Sequence, residues 1–397
     1  FPAAWAFVDY LTVFTPYGSW GMAAYSQHTQ LVLLQSISVF GMCYITFLIG
    51  WFASVANWAL ANGMDWQKIR RGIAVYAGLL VLTLGFGGLR LVLQRPDSPT
   101  IRVASLSAIP ENEQTRGPGM PAVPRKRVKR TPGLEKRMFA NQLTEEDKAY
   151  LTRNAEVENA DLFRRSAVEA KAGAKLIFWG EANGSAFKSG EPALFEKAAA
   201  FAKSYHVYLG LGAAVFKLGA QKPLENKLVL FDPQGKILFD YWKVHPVPGG
   251  EARISAVKGD TLPVVDTSFG KLGAAICFDM DFPNFLKQAS HADVFIAPSN
   301  DWRAIDPWHT YMATYRAIEQ GFNLVRQTSH GLSVGVDYTG RVISETDYFA
   351  SADKVLITEL PTRGVTTVYS KIGDSFAWFC LLLLIAVPLY SRARKPA

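Results

Sequence analysis

Cysteine is scarce in this chain, with three in 397 residues. Cys43 and Cys380 lie inside apolar runs, so the set supports neither a disulfide framework nor a cysteine-based zinc site. Histidine is also rare, at six, and scattered without an HExxH or any paired metal spacing. A lone histidine such as His206 or His291 reads as a structural or surface residue, and no metal and no cofactor is expected. Charge is thin at 19% of residues, and residues 31–60 carry no Asp, Glu, Lys or Arg at all. The sequence starts at Phe1 without a charged n-region, so no complete signal peptide is read.

What replaces charge is apolar sequence, 49% of the chain and unevenly spread. Residues 1–14 read as the end of a truncated helix. Residues 15–30, aromatic with Gly and Pro, suit a re-entrant or interfacial segment beside a membrane. A span needs about 20 apolar residues, so 31–60 is predicted as one transmembrane helix with some excess, 72–93 as a second and 373–390 as a third. The loop after the first span carries Lys68, Arg70 and Arg71, and the tail carries Arg392, Arg394 and Lys395. Basic loops stay cytoplasmic. The domain between Arg95 and Lys371 is therefore expected on the opposite side, the periplasmic face of a bacterial inner membrane crossed several times. The resulting division is 1–95 transmembrane helices, 96–370 a soluble catalytic domain, and 371–397 a C-terminal helix with its basic tail.

Residues 109–137 are Pro-, Gly- and Arg/Lys-rich without apolar periodicity and read as a flexible loop. Its cluster Arg125, Lys126, Arg127, Lys129 and Arg130 lacks interleaved aromatics and is placed on the non-cytoplasmic side, so no nucleic-acid partner is expected. A solvated loop is the plain reading, and contact with anionic lipid the other. Beyond it the domain alternates. Strands are predicted at 101–109, 174–180, 206–216, 262–268, 271–277 and 292–299. Helices are predicted at 155–172, 191–204, after Pro283 and at 307–320. Hairpins are predicted at 227–243, turning at Pro233–Gly235, and at 323–346, turning at Tyr338–Gly340. The class is α/β with both sheet faces covered.

Three stretches carry chemistry. KLGAAICFDMDFP (271–283) delivers Cys277 at the end of an apolar run, where a turn can expose its sulfur beside free backbone N–H groups. AKLIFWGEANG (174–184) delivers Glu181, and LFDYWKVHPVPGGE (238–251) delivers Lys243 and then Glu251. Taken singly, a buried cysteine is most often a small core hydrophobe, and a Glu or Lys at a strand end a solvated charge.

Together, in the order Glu, Lys, Cys, they resemble the carbon–nitrogen hydrolase (nitrilase) superfamily. The match is closest to its membrane-bound branch, the apolipoprotein N-acyltransferases. YWKVHPVPGGE resembles that branch's Y-x-K-x-H-x-V-P-x-G-E, and ICFDMDFP its I-C-[YF]-E-x-x-F-P. SNDW (299–302) with PWHTYMATYRAIEQG (307–321) resembles a third block. The likeness runs from about residue 15 to 390. It implies a nitrilase-like four-layer α-β-β-α sandwich attached to a transmembrane helix bundle, with further membrane helices ahead of Phe1.

The resemblance also implies roles. Cys277 would be the nucleophile, Glu181 the general base and Lys243 the positive charge at the developing oxyanion. Glu251 and the Phe278 N–H would support them. The implied reaction moves a fatty acyl chain from a phospholipid, through a thioester on Cys277, to the N-terminal amine of a lipoprotein. The alternatives are a membrane-tethered amide hydrolase with water as acceptor, and a non-catalytic lipid-binding relative. The sequence departs from the branch's pattern at Phe278–Asp279 (usually Tyr-Glu), at Gly249 (an aromatic), at Ser329-His330-Gly331 (Asn-Asn-Gly) and at Ser107 (a glutamine).

Overall fold

The computed structural model describes residues 1–109, 133–134, 137 and 142–393, side chains excluded for 391–393. The basic cluster 125–130 and the tail residues Arg394 and Lys395 lie outside the described residues, as does most of the loop predicted at 109–137.

Two sheets form the centre. The first contains β1 (Thr100–Leu106), β2 (Leu176–Trp179), β3 (Gly184–Phe187), β4 (Tyr208–Phe216), β5 (Leu224–Phe231), β6 (Ile237–Trp242) and, closing its edge, β15 (Val355–Pro361), in the order β15-β1-β2-β4-β5-β6 with β3 beside β4. The second contains β7 (Val264–Thr267), β8 (Gly270–Ala274), β9 (Val294–Ile296), β11 (Asn323–Arg326), β13 (Leu332–Val336) and β14 (Val342–Asp347), in the order β14-β13-β11-β9-β8-β7. A short parallel pair, β10 (Ser299–Asn300) with β12 (Thr328–Ser329), stands apart. Strand alternation sorts the side chains. Val103, Phe178, Leu228 and Leu230 of the first sheet meet Leu272, Val294, Ile296 and Leu324 of the second in one buried cluster. Each such side chain contributes about 2 kcal/mol by leaving water. The neighbouring positions Ala104, Ile177, Trp179, Leu209 and Val229 face the other way, against the helices Glu145–Lys171 and Glu191–Tyr205. Ala313 and Ala317 of the helix Trp308–Gln320 join the inter-sheet cluster from the far side. The order helix, sheet, sheet, helix is the four-layer sandwich that the resemblance implies, and periodicity alone does not show the two sheets.

Several boundaries differ from the sequence reading. The helix predicted at 155–172 starts ten residues earlier, because Thr144 and Asp147 close a reciprocal capping box. The strand predicted at 271–277 ends at Ala274, and Cys277 opens a 3₁₀ turn to Asp281. The strand β3 went unread. The hairpin at 227–243 is present, its turn closed by Asp232. The predicted hairpin 323–346 is a meander, β11 pairing with β13 and β13 with β14.

The apolar segments are also more broken than composition suggests. Residues 31–60 are not one helix but Leu31–Leu34, Ile37–Phe40 and Met42–Ala61. The first break is at Gln35–Ser36 and the second at Gly41, at φ +71°, whose absent Cβ would stand 2.5 Å from the Tyr369 ring. The second long helix runs Trp66–Leu93, starting at an Asp65 cap, and the last is Ser375–Ala393. Met42–Ala61 and Trp66–Leu93, of 20 and 28 residues, are long and apolar enough to cross a membrane. Only 11% of the most apolar stretch of the second is buried, leaving Val81, Leu82 and Leu93 facing outward, a surface suited to lipid.

These helices share a core with the sandwich. Ala6, Tyr10, Ile45, Leu48 and Cys380 cluster with Met312, Tyr315 and Ile318, the outer face of the helix Trp308–Gln320. Polar links reinforce the seam: Met42 N donates to Glu319 Oε1 at 3.1 Å, and Tyr315 Oη to Ala24 O at 2.8 Å.

Candidate active site

Glu181, Lys243 and Glu251 converge where β2 and β6 end. Glu181 lies two residues past β2, and Ala182 after it takes the left-handed conformation. Lys243 follows β6, its N–H held by Asn226 O on β5. The Lys243 ammonium, 1% exposed, donates to Glu181 Oε1 at 2.8 Å and to both oxygens of Glu251 at 2.9 Å. Three donors meet three oxygens, which a compact ammonium allows. Val247 N and Asn226 Nδ2 also hold Glu251, at 2.8 and 3.1 Å. Gly249, one of the departures, has φ +103°, a conformation that disfavours the aromatic of the branch's pattern and lets the chain turn into the helix Gly250–Ile254.

Cys277 is buried beside this group, and Glu181 and Lys243 both act on its charge. It has φ +48°, rare for a residue with a side chain and typical of strain held at functional positions. Its N–H is fixed to Pro298 O at 3.0 Å, while the next N–H, of Phe278, makes no hydrogen bond among the described residues. Burial, then the Glu181 carboxylate, pushes the thiol well up, and Lys243 opposes them. Burial also raises Glu181, against the pull of Lys243. Lys243 stays protonated, because its carboxylate neighbours outweigh the burial that opposes its charge. The resting site is therefore a neutral thiol beside an ammonium clamped by carboxylates. Glu181 Oε2 is buried and makes no hydrogen bond among the described residues, so one oxygen of this carboxylate is open to a proton.

Phe278 and Asp279 hold the turn. Phe278 is buried, edge-on to Phe282 at 5.4 Å. Asp279 reaches its partners directly. It accepts from Tyr241 Oη at 2.6 Å, His245 N at 2.8 Å, Ile276 N at 3.1 Å and Val244 N at 3.2 Å, with His245 Nδ1 at 3.0 Å. It thus ties the turn at Cys277 to the chain that carries Lys243. Two further departures meet in space: Ser329 Oγ lies 3.1 Å from Ser107 Oγ and 2.9 Å from Asn183 Nδ2, so the two small residues complement each other.

The sequence reading missed several residues here. Asn226, on β5, bridges Glu181 Oε1 at 2.7 Å and Glu251. Nothing in its local pattern marks it, because it meets its partners only through sheet pairing. Asp301 and His309 sit in the SNDW and PWHTYM blocks, yet received no role. Cys277 Sγ, an Asp301 oxygen and a His309 ring nitrogen lie within 4.8 Å of one another, a spacing that could hold a cation. The donors are committed, however. Both His309 nitrogens face carboxylates at 2.7 Å, and Asp301 accepts from the Arg326 guanidinium. A cation would have to displace that guanidinium, so the residues do not fit a metal.

Comparison with known proteins settles the class. Residues 142–369 match the carbon–nitrogen hydrolase family, and the chain belongs to it. It is similar to the apolipoprotein N-acyltransferase of Geobacter metallireducens, 24% identical over 426 aligned residues that take in all of this chain and 74% of that protein. It is similar also to that of Rhodopseudomonas palustris, 27% identical over 95% of this chain and 70% of that protein. Among solved structures, an amidase of the nitrilase superfamily from Nesterenkonia aligns over 70% of this chain and 96% of its own, at TM-score 0.48 and 17% identity.

Proposed function

We propose that this chain is a membrane-bound N-acyltransferase that carries a fatty acyl group from a phospholipid, as a thioester on Cys277, to the N-terminal amine of a lipoprotein. The observation that carries the reading is the buried Glu181–Lys243–Glu251 group beside Cys277, with one Glu181 oxygen left open. Two named relatives spanning nearly the whole chain support the acyltransferase reading over other activities of the family. So does the core shared between the apolar helices and the sandwich, because both proposed substrates are lipid-anchored.

The proposed steps use these groups in turn. Glu181 Oε2 takes the thiol proton as the sulfur attacks the ester carbonyl carbon of the phospholipid. The carbonyl oxygen becomes an anion, met by the Lys243 ammonium and the free Phe278 N–H. The C–O bond to the lysolipid breaks, and Glu181 returns the proton to that alcohol. The acceptor amine then attacks the thioester carbonyl, gives its proton to Glu181, and displaces the thiolate, which Glu181 reprotonates. Glu251 and Asn226 keep Lys243 and Glu181 in place throughout.

The test is intact mass after incubation in phospholipid nanodiscs. Wild type is expected to gain one fatty-acyl increment, removed by neutral hydroxylamine. Cys277→Ala is expected to gain none while staying folded and membrane-inserted. A Cys277→Ala protein that still modified a lipoprotein at the normal rate would overturn the assignment.

A further inference from the structure

Behind Cys277 runs a buried chain of charges that the acyl-transfer steps do not use. Asp301 accepts from Arg326 Nη1 and Nη2 at 3.1 and 3.0 Å, and its Oδ1 lies 2.7 Å from His309 Nδ1. The other ring nitrogen, Nε2, lies 2.7 Å from Asp281 Oδ2. All four residues are buried. Arg326 Nη2 also lies 2.9 Å from Nδ1; a neutral imidazole has one N–H, so both carboxylates accept from the ring only when both nitrogens carry a proton. Burial and the Arg326 guanidinium oppose the charge, but Asp301 and Asp281 outweigh them and hold His309 at about 9. The groups facing the ring are Asp281 and Cys277 from the nucleophile turn, Asp301 from the loop ahead of the helix, and Arg326 from β11. Trp20, uncharged, stands edge-on at 6.0 Å. Two cations and two anions leave no net charge, and Asp301 and Arg326 push the Cys277 thiol in opposite directions. Any service to the sulfur is therefore one of position.

The Asp281 end shows which parts are positioned. Asp281 closes the turn that Cys277 opens. Its backbone oxygen accepts from Ser19 N at 2.7 Å, in the segment between the first helix and the membrane-length helices. Gly18 has φ +57°, and a Cβ there would stand 2.5 Å from that same oxygen. The loop can dock only because residue 18 has no side chain. Through Asp281, then, one histidine reaches both the nucleophile turn and a loop some 290 residues before it in the chain.

We propose that His309 is a positioning residue for Cys277: held between Asp301 and Asp281, it fixes the turn that carries the nucleophile and locks that turn to the loop from the apolar helices. The inference rests on the reading of Cys277 as the nucleophile.

The experiment follows acylation of Cys277 by intact mass in the full chain, in nanodiscs of dioleoyl phosphatidylethanolamine and phosphatidylglycerol. Iodoacetamide alkylation of the same thiol runs beside it as a readout that needs no substrate. His309→Gln keeps an amide donor and loses the charge. It should slow acylation roughly 100-fold while half-saturation by lipid stays within about threefold, as for a misplaced reacting group. It should slow alkylation in the same direction. The wild-type rate should fall as pH rises through about 9, where His309 loses its proton, and His309→Gln should show no such fall. Because both changes break one link, Asp281→Asn combined with His309→Gln should cost no more than about threefold beyond His309→Gln alone. Gly18→Ala, with the histidine intact, tests the lock from the other side and should slow acylation about tenfold. It also carries the test if His309→Gln fails to fold. Wild-type alkylation and acylation rates in His309→Gln, an unchanged alkaline fall, multiplying losses, or Gly18→Ala at full rate would each overturn the proposal. A wild type that is never acylated, with alkylation slowed in His309→Gln as expected, would instead remove the acyl-transfer reading and leave the positioning role standing.

Discussion

Asp279 is the residue on which the local geometry turns. Its side chain is fully buried and meets four donors and a histidine ring from two separate stretches. Asp279→Asn keeps the shape but replaces an acceptor-only group with one that brings two N–H bonds into a space lined by donors. It should cost about 3 kcal/mol of stability, read as a lower melting temperature, since a buried polar group left unpaired carries its desolvation penalty. A loss under about 0.5 kcal/mol would show that the anchor is dispensable. Phe278 is less demanding, because the proposed oxyanion donor at that position is a backbone N–H. Glu181 sets the expected acid side of the pH profile. Burial raises its carboxyl above the ordinary range, so it takes up a proton at a pH where an exposed glutamate stays ionised. Acylation should therefore fall as pH drops through that raised value, and Glu181→Gln should be inactive at every pH. A wild-type rate flat from pH 7 to pH 4 would contradict the assignment.

At the scale of elements, the informative places are breaks. Gly41 ends one short helix and begins the next at φ +71°, with Tyr369 closing the space where a side chain would go. Gly41→Ala should destabilise the protein by about 2 kcal/mol from backbone strain and overpacking together, measurable by thermal unfolding in detergent. A neutral result would mean that the seam between the helices and the sandwich tolerates movement. The same break explains a misread span. A window of composition registers the absence of charge through 31–60, but it does not register a backbone angle. Other features were legible because a local signal carried them. The hairpin at 227–243 announces itself by Pro233–Gly235, and Glu181, Lys243 and Cys277 stand out as candidates because each follows an apolar run. β3, with the sequence GSAF, has no apolar alternation to find. The pairing of two sheets, the bridge at Asn226 and the His309 cluster arise only when distant strands and a helix meet, and no single stretch records that meeting.

For the whole molecule, the apolar helices and the sandwich share one packed seam: the helix Trp308–Gln320 contributes one face to the inter-sheet core and the other to the helical core. We propose that the basic first turns of the helix Trp66–Leu93, with Lys68, Arg70 and Arg71, which the sequence reading takes as a loop, and the residues after Tyr390 lie in the cytoplasm, with the sandwich in the periplasm. A reporter active only in the periplasm should work when inserted at 112–130 and fail when fused after Ala397. The reverse pattern would move the site to the cytoplasm. The central claim is narrower than topology: Cys277 passes its acyl group to an amine and not to water. The most direct measurement is a single-turnover chase of acylated protein, freed of donor lipid, with a synthetic diacylglyceryl-cysteine peptide. The account predicts that the acyl increment leaves Cys277 and appears on the peptide's N-terminal amine, at least ten times faster than it decays in buffer alone, about 1.4 kcal/mol of preference. Equal decay with and without peptide, with free fatty acid as the product, would contradict it and make the chain a hydrolase.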